Sequence, residues 1–143
     1  GLGWHLRFEP RVREALALHS GYTLHAGMDI SDGLAMDLHR MARASRCGAE
    51  VEVAQIPLSD AAHQAASESG HDAVHHALSD GEDFELLLAV DPETAARMAS
   101  DRPLDIPLTR IGQFTSSAQI TRIGPNGQRF PLEPTGYLHG QDP

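Results

Sequence analysis

The chain has 143 residues, 41% hydrophobic and 22% charged, with a formal net charge of −9 at pH 7. That length supports one domain with a core of its own. The acidic balance excludes the basic surfaces that bind nucleic acid or anionic membranes. A phosphate ligand stays open, because a bound metal can supply the missing positive charge.

One cysteine, Cys47, excludes an internal disulfide and reads as a small core residue, with a cytoplasmic setting as the default expectation. There is no signal peptide, lipidation motif or apolar run long enough to span a bilayer. The chain starts with Gly1, which reads as a fragment or a processed chain.

Pro10 suits the first turn of a helix running to about Ser20, with Val12, Leu16 and His19 on one face and Gly21 as the stop. Tyr22 to Asp29 reads as a strand. After Asp32-Gly33 the period changes: Leu34, Leu38, Met41 and Ala42 fall on one helical stripe, which Gly48 ends. Residues 49–54 alternate with period two, a half-exposed strand with Glu50 and Glu52 facing water. Ser59-Asp60 can cap a helix over Ala61 to Ser67, Gly70 breaks it, and a shorter helix follows over about His71 to Leu78.

Phe84 to Val90 is the strongest strand signal, apolar enough for burial on both faces. Asp91-Pro92-Glu93 starts a helix that Pro103 bounds. The last third reads as a β meander. Its strands are Leu108 to Gly112 and Ala118 to Ile123, and Asn126-Gly127 turns into Arg129-Phe130. The whole is an α/β (α+β) chain, a mixed sheet covered by helices.

The chemistry concentrates in Asp29-Ile30-Ser31-Asp32-Gly33. Two carboxylates this close repel unless a cation lies between them. A strand end followed by a helix start sends its side chains into one crevice, where free N–H groups favour anions. Asp29 and Asp32 can each give Mg²⁺ an oxygen, and Ser31 can donate to a phosphate. A plain alternative fits the spacing alone at least as well: Ser31 or Asp32 caps the helix and Asp29 is a loop acid. A second acidic group, Asp80-Gly81-Glu82-Asp83 with Glu85, reads alone as a solvated turn. Alongside the first it reads as the other wall of a metal-phosphate site.

Other chemistry is weaker. His71 and His75 stand four apart, but no second pair or cysteine completes a zinc site, so a transition metal is disfavoured. Cys47 sits at a helix end, where the dipole opposes a thiolate. With no P-loop and no dinucleotide fingerprint, a bound nucleotide is held in another way.

Several segments, in order, resemble the C-terminal half of the thiamine-monophosphate kinase family, in the aminoimidazole ribonucleotide synthetase superfamily. Asp29-Ile30-Ser31-Asp32-Gly33-Leu34 matches its D-[IV]-S-D-G-L signature. Ala42-Arg43-Ala44-Ser45, then Gly48-Ala49-Glu50, looks like A-x-A-S-x-x-G-A-x. Ile56-Pro57-Leu58 matches a Leu-Pro-Leu-type turn. Gly81-Glu82-Asp83-Phe84-Glu85-Leu86-Leu87 is similar to G-E-D-[YF]-E-L-L. Gly136-Tyr137-Leu138-His139 resembles the closing G-[WYF]-D-H-F, with Leu138 and Gly140 where the family shows Asp and Phe.

The resemblance implies ATP-dependent phosphorylation of thiamine monophosphate to thiamine diphosphate with Mg²⁺. By position, Asp29 and Asp32 would be metal ligands and Ser31 an ATP contact. Glu82 and Tyr137 would line the thiamine-phosphate pocket. The substrate's own phosphate oxygen would attack, with no covalent enzyme intermediate. Residues 1–143 would form the single C-terminal domain of a two-domain kinase, without the N-terminal domain that carries most of the ATP and Mg²⁺ site. Little or no activity is then expected of this chain alone, and a homodimer is expected of the full-length protein. Competing readings are a non-catalytic ligand-binding or interaction domain, and a related ATP-using enzyme with another substrate.

Overall fold

The computed structural model describes residues 10–80 and 85–136. The elements follow in order α1 (Val12–Gly21), β1 (Ala26–Asp29), α2 (Leu34–Ala44), β2 (Gly48–Glu52), a 3₁₀ turn (Val53–Gln55), α3 (Asp60–Ser69) and α4 (Ala73–Ser79). After them come β3 (Leu86–Ala89), α5 (Pro92–Asp101), β4 (Gly112–Thr115), β5 (Ile120–Ile123) and β6 (Arg129–Pro131). No helix among the described residues is long and apolar enough to cross a membrane.

Helix α2 organises the core. Its stripe of Leu34, Leu38 and Met41, with Ala35, joins one buried cluster with Ala49 and Val51 of β2, Leu87 of β3, Leu78 of α4, Ile56 and Leu132. Helix α4 lies against α2, and α3 against α4. The helix starts follow local chemistry. Ser59 Oγ accepts the N–H of Ala62 at 3.1 Å, Asp72 Oδ1 that of His75 at 2.6 Å, and Asp91 Oδ1 that of Thr94 at 2.7 Å. Pro92 occupies the first turn of α5. The phenol of Tyr22, just past α1, donates to Asp101 at the end of α5 at 2.7 Å.

The strands form two sheets. β1 and β3 make an antiparallel ribbon, and the larger sheet runs β4-β2-β5-β6. Within it β2 pairs antiparallel with β4 and parallel with β5, so the sheet is mixed. The expected meander is therefore interrupted: β2 inserts between β4 and β5. Its register, Ala49 against both Phe114 and Ile120, places its apolar face in the cluster and satisfies both of its edges. Only β5 and β6 form the expected hairpin, closed by Gly127 N–H to Gly124 O at 2.9 Å.

Three further expectations shift. On α1 the buried residue is Leu18, whereas Val12 and Leu16 are 58% and 62% exposed. The strand expected over 84–90 is observed at Leu86–Ala89, with Leu87 its buried residue, because a two-stranded ribbon covers less of it than a sheet interior would. The glutamates of β2 are half-buried, and Glu50 accepts from Gln113 and Arg129, both at 3.1 Å.

Candidate functional site

β1 ends at Asp29 and α2 begins at Leu34, so residues 30–33 turn the chain between ribbon and helix. Asp37, in the first turn of α2, clamps that turn from inside. Its side chain is 0% exposed. Oδ2 accepts the backbone N–H of Ser31 at 2.8 Å and of Asp32 at 3.0 Å. Oδ1 accepts Nη1 of Arg40 at 2.8 Å. The same Nη1 also donates to Oδ2 of Asp32, which is itself buried. One guanidinium nitrogen thus bridges two carboxylates. Its bonds to Asp32 and then Asp37 hold the Arg40 pKa above its ordinary value.

The N-cap of α2 is Gly33 at φ +102, and no side chain caps the helix. A Cβ at Gly33 would meet the carbonyl oxygen of Ser79 at 2.9 Å. The reading of Ser31 or Asp32 as a plain cap thus gives way to a clamped turn. Asp29 is exposed, and its carboxylate has no hydrogen-bond or ion-pair partner among the described residues. Ser31 is half-buried, and its hydroxyl likewise makes no hydrogen bond.

The chain brings the flanks of the other expected motifs to this turn. In the β1–β3 register Asp29 faces Leu86, and the N–H of Ile30 donates to the carbonyl of Glu85 at 2.8 Å. From the far end, Gly136 presses on the turn. A Cβ there would lie 2.1 Å from the carbonyl oxygen of Asp32 and 2.9 Å from Cβ of Met36. Only glycine permits that approach. Glu82 and Tyr137, the expected substrate contacts, lie outside the described residues, as do Gly81, Asp83 and Phe84. The carboxylate of Glu85 is engaged by Arg11, through Nε at 3.1 Å and Nη2 at 2.9 Å.

The clamp itself was missed in the sequence. A signal for it exists, because Asp37 stands three residues after Leu34 on the buried stripe, and an acid there requires a buried partner. Among the histidines, His71 and His75 stack with centroids 4.5 Å apart, and His76 bonds Asp80 at 2.8 Å and Ser69 at 2.6 Å. Cys47 is half-buried, with Sγ 3.7 Å from the carbonyl of Ala42.

A hard cation such as Mg²⁺ takes oxygen ligands. Asp29 and Asp32 offer carboxylate oxygens, and that of Asp32 already draws a positive group, the Arg40 guanidinium. The donor chemistry fits. The described residues contribute a partial set, since no group of three or more His, Cys, Asp or Glu that could hold a metal occurs among them. Beside the turn, Arg40 also borders a shallow cleft of about 310 Å³ with Gly27, Met28, Met41 and Ser45.

Residues 2–124 match the family described as AIR synthase related protein, C-terminal domain. A thiamine-monophosphate kinase of Rhodopirellula baltica is 44% identical over 140 residues, 98% of this chain and 44% of that protein. The crystal structure of a thiamine-monophosphate kinase from Stenotrophomonas maltophilia K279a superposes with a TM-score of 0.68 at 33% identity, covering 87% of this chain and 38% of that one. A structure of AaThiL complexed with AMPPCP and TMP gives 0.65 at 25% identity, covering 93% and 43%. This chain therefore spans less than half the length of the relatives it matches.

Proposed function

The chain belongs to the family of AIR synthase related proteins, C-terminal domain, and from that premise we propose that it is the carboxyl-terminal part of a thiamine-monophosphate kinase. The reaction is transfer of the γ-phosphoryl group of ATP to the phosphate of thiamine monophosphate, in the cytoplasm. The single observation that carries the reading is the Asp37-clamped turn, where the Asp29 carboxylate and the Ser31 hydroxyl make no hydrogen bond among the described residues. The identity of 44% to a kinase of that name over nearly the whole chain supports it.

Phosphoryl transfer asks a protein chiefly for positioning and charge neutralisation. The hydroxyl of Ser31 donates to a phosphate oxygen of ATP, while its own N–H stays committed to Asp37. Asp29 and Asp32 would hold Mg²⁺, which neutralises phosphate charge when bound. Glu82 and Tyr137, by the family resemblance, would orient thiamine monophosphate. An oxygen of the substrate phosphate forms the new P–O bond as the bond to ADP breaks, so the chain needs no nucleophile of its own. The remaining ligands, most of the ATP site and the homodimer contact belong to an N-terminal domain of the full-length protein.

A coupled ADP-release assay with thiamine monophosphate and Mg²⁺ tests this, run on the chain alone and joined to the preceding domain of a relative. Turnover is expected of the joined protein and little or none of the chain alone. Calorimetry that finds no thiamine monophosphate binding to the joined protein would overturn the substrate. Full turnover by the chain alone would overturn the two-domain division of labour.

A further inference from the structure

Arg40 places one nitrogen on two buried carboxylates, which differ in what else bonds them. Asp37 is wholly enclosed, and all its bonds point inward: two backbone N–H groups on one oxygen, Arg40 on the other. Removing its counter-charge would strand a buried anion, the costliest outcome for such a group. The Asp32 side chain is 9% exposed, and its backbone N–H, like that of Ser31, is held by Asp37. The Arg40 side chain is 48% exposed, and its Nε and Nη2 donate to nothing among the described residues.

We propose that Arg40 is the resident counter-cation of Asp32, and that a divalent cation displaces it from Asp32 while it remains on Asp37. Each state keeps the charges compensated. Without metal, one guanidinium bonds both Asp32 and Asp37 and offsets the repulsion between them. With metal, the doubly charged ion takes Asp32 and Asp29, and the whole of the Arg40 charge passes to Asp37. Arg40 then sets the affinity of the site by competing for one of its ligands. Arginine suits this because Nη1 carries two N–H donors, one for each carboxylate, on a group that stays charged. The proposal rests on the assignment of Asp32 as a metal ligand. The ADP-release assay reads phosphoryl transfer independently, so either idea can fail while the other stands.

The test is an NMR titration of the isotopically labelled chain with MgCl₂ at constant ionic strength. The readouts are the Asp32 carboxylate carbon, the Arg40 guanidinium signals and the Ser31 amide. Asp32 and Arg40 are expected to shift along one binding curve while the Ser31 amide, bonded to Asp37, holds. Arg40→Gln should tighten Mg²⁺ binding at Asp32 by up to about fivefold, the worth of one partly exposed ion pair. If the glutamine variant does not fold, the wild-type titration decides by whether Asp32 and Arg40 shift together. A wild-type chain too weak to respond, beside a variant that binds through Asp32, supports the competition. A shift of Asp32 without Arg40, loss of the Ser31 contact on metal binding, or no Mg²⁺ response in any of these chains overturns it.

Discussion

Asp37 holds Asp32 by the backbone: its buried carboxylate accepts the Asp32 N–H at 3.0 Å, while Arg40 bridges the two side chains. The acid that shapes the turn is thus distinct from the acids it presents. Asp37→Ala should cost about 3–5 kcal/mol, as removal of one partner from a buried pair does, because it strips two N–H groups and Arg40 of their acceptor. Asp37→Asn keeps an acceptor for the amides and should cost less. Urea unfolding of both variants checks the order. A stable alanine variant would show that the clamp is incidental.

Asp29 and Asp32 should separate function from stability. Asp29 is exposed and unbonded, so Asp29→Asn should leave the melting temperature of the chain unchanged. In the joined kinase the same change should lower turnover by about a hundredfold or more, the usual scale for losing one electrostatic contact to a reacting centre. Asp32→Asn should reduce both. Equal activity of the Asp29 variant and wild type would remove Asp29 from the site.

Gly136→Ala should be destabilising, because its methyl would fall on the Asp32 carbonyl oxygen at 2.1 Å and neither backbone can retreat freely. A cost of about 1–3 kcal/mol matches overpacking elsewhere. Gly21→Ala is the control: nothing lies within 4 Å of a Cβ there. Thermal melts that rank these two the other way would contradict the approach of residue 136 to the turn.

Low pH should loosen α5. The Thr94 backbone N–H, then its hydroxyl, hold the Asp91 carboxyl below its ordinary value of 3.8. A lowered folded-state pKa means the unfolded chain binds the proton first. The contribution is therefore complete above 3.8 and is lost as the pH falls through the lower folded-state value. Asp91→Asn still caps but does not titrate. Between pH 5 and pH 2 its melting temperature should fall less than that of wild type. Parallel declines would refute the assignment.

Much of this was legible locally. Leu34, Leu38 and Met41 marked the buried face of α2, and Ser59 and Asp91 marked helix starts, because an amphipathic period and a cap are satisfied within a few residues. The phase of α1 was misread: Val12 and Leu16 are as apolar as Leu18, and only the neighbours decide which is covered. β2 was recognised as a strand but not as the middle of the larger sheet, since its partners Gly112–Thr115 and Ile120–Ile123 lie about sixty residues or more away.

The candidate site divides in the same way. Residue order alone determined that Asp29, Ser31 and Asp32 lie between a strand and a helix, since that needs only neighbouring residues. Tertiary structure decided that Asp37 and Arg40 complete the turn, and that the approaches to 81–84 and to 137 reach it. Those contacts join positions up to a hundred residues apart. They exist because the β1–β3 pairing and the packing of residue 136 on the start of α2 repay the entropy of closing such loops.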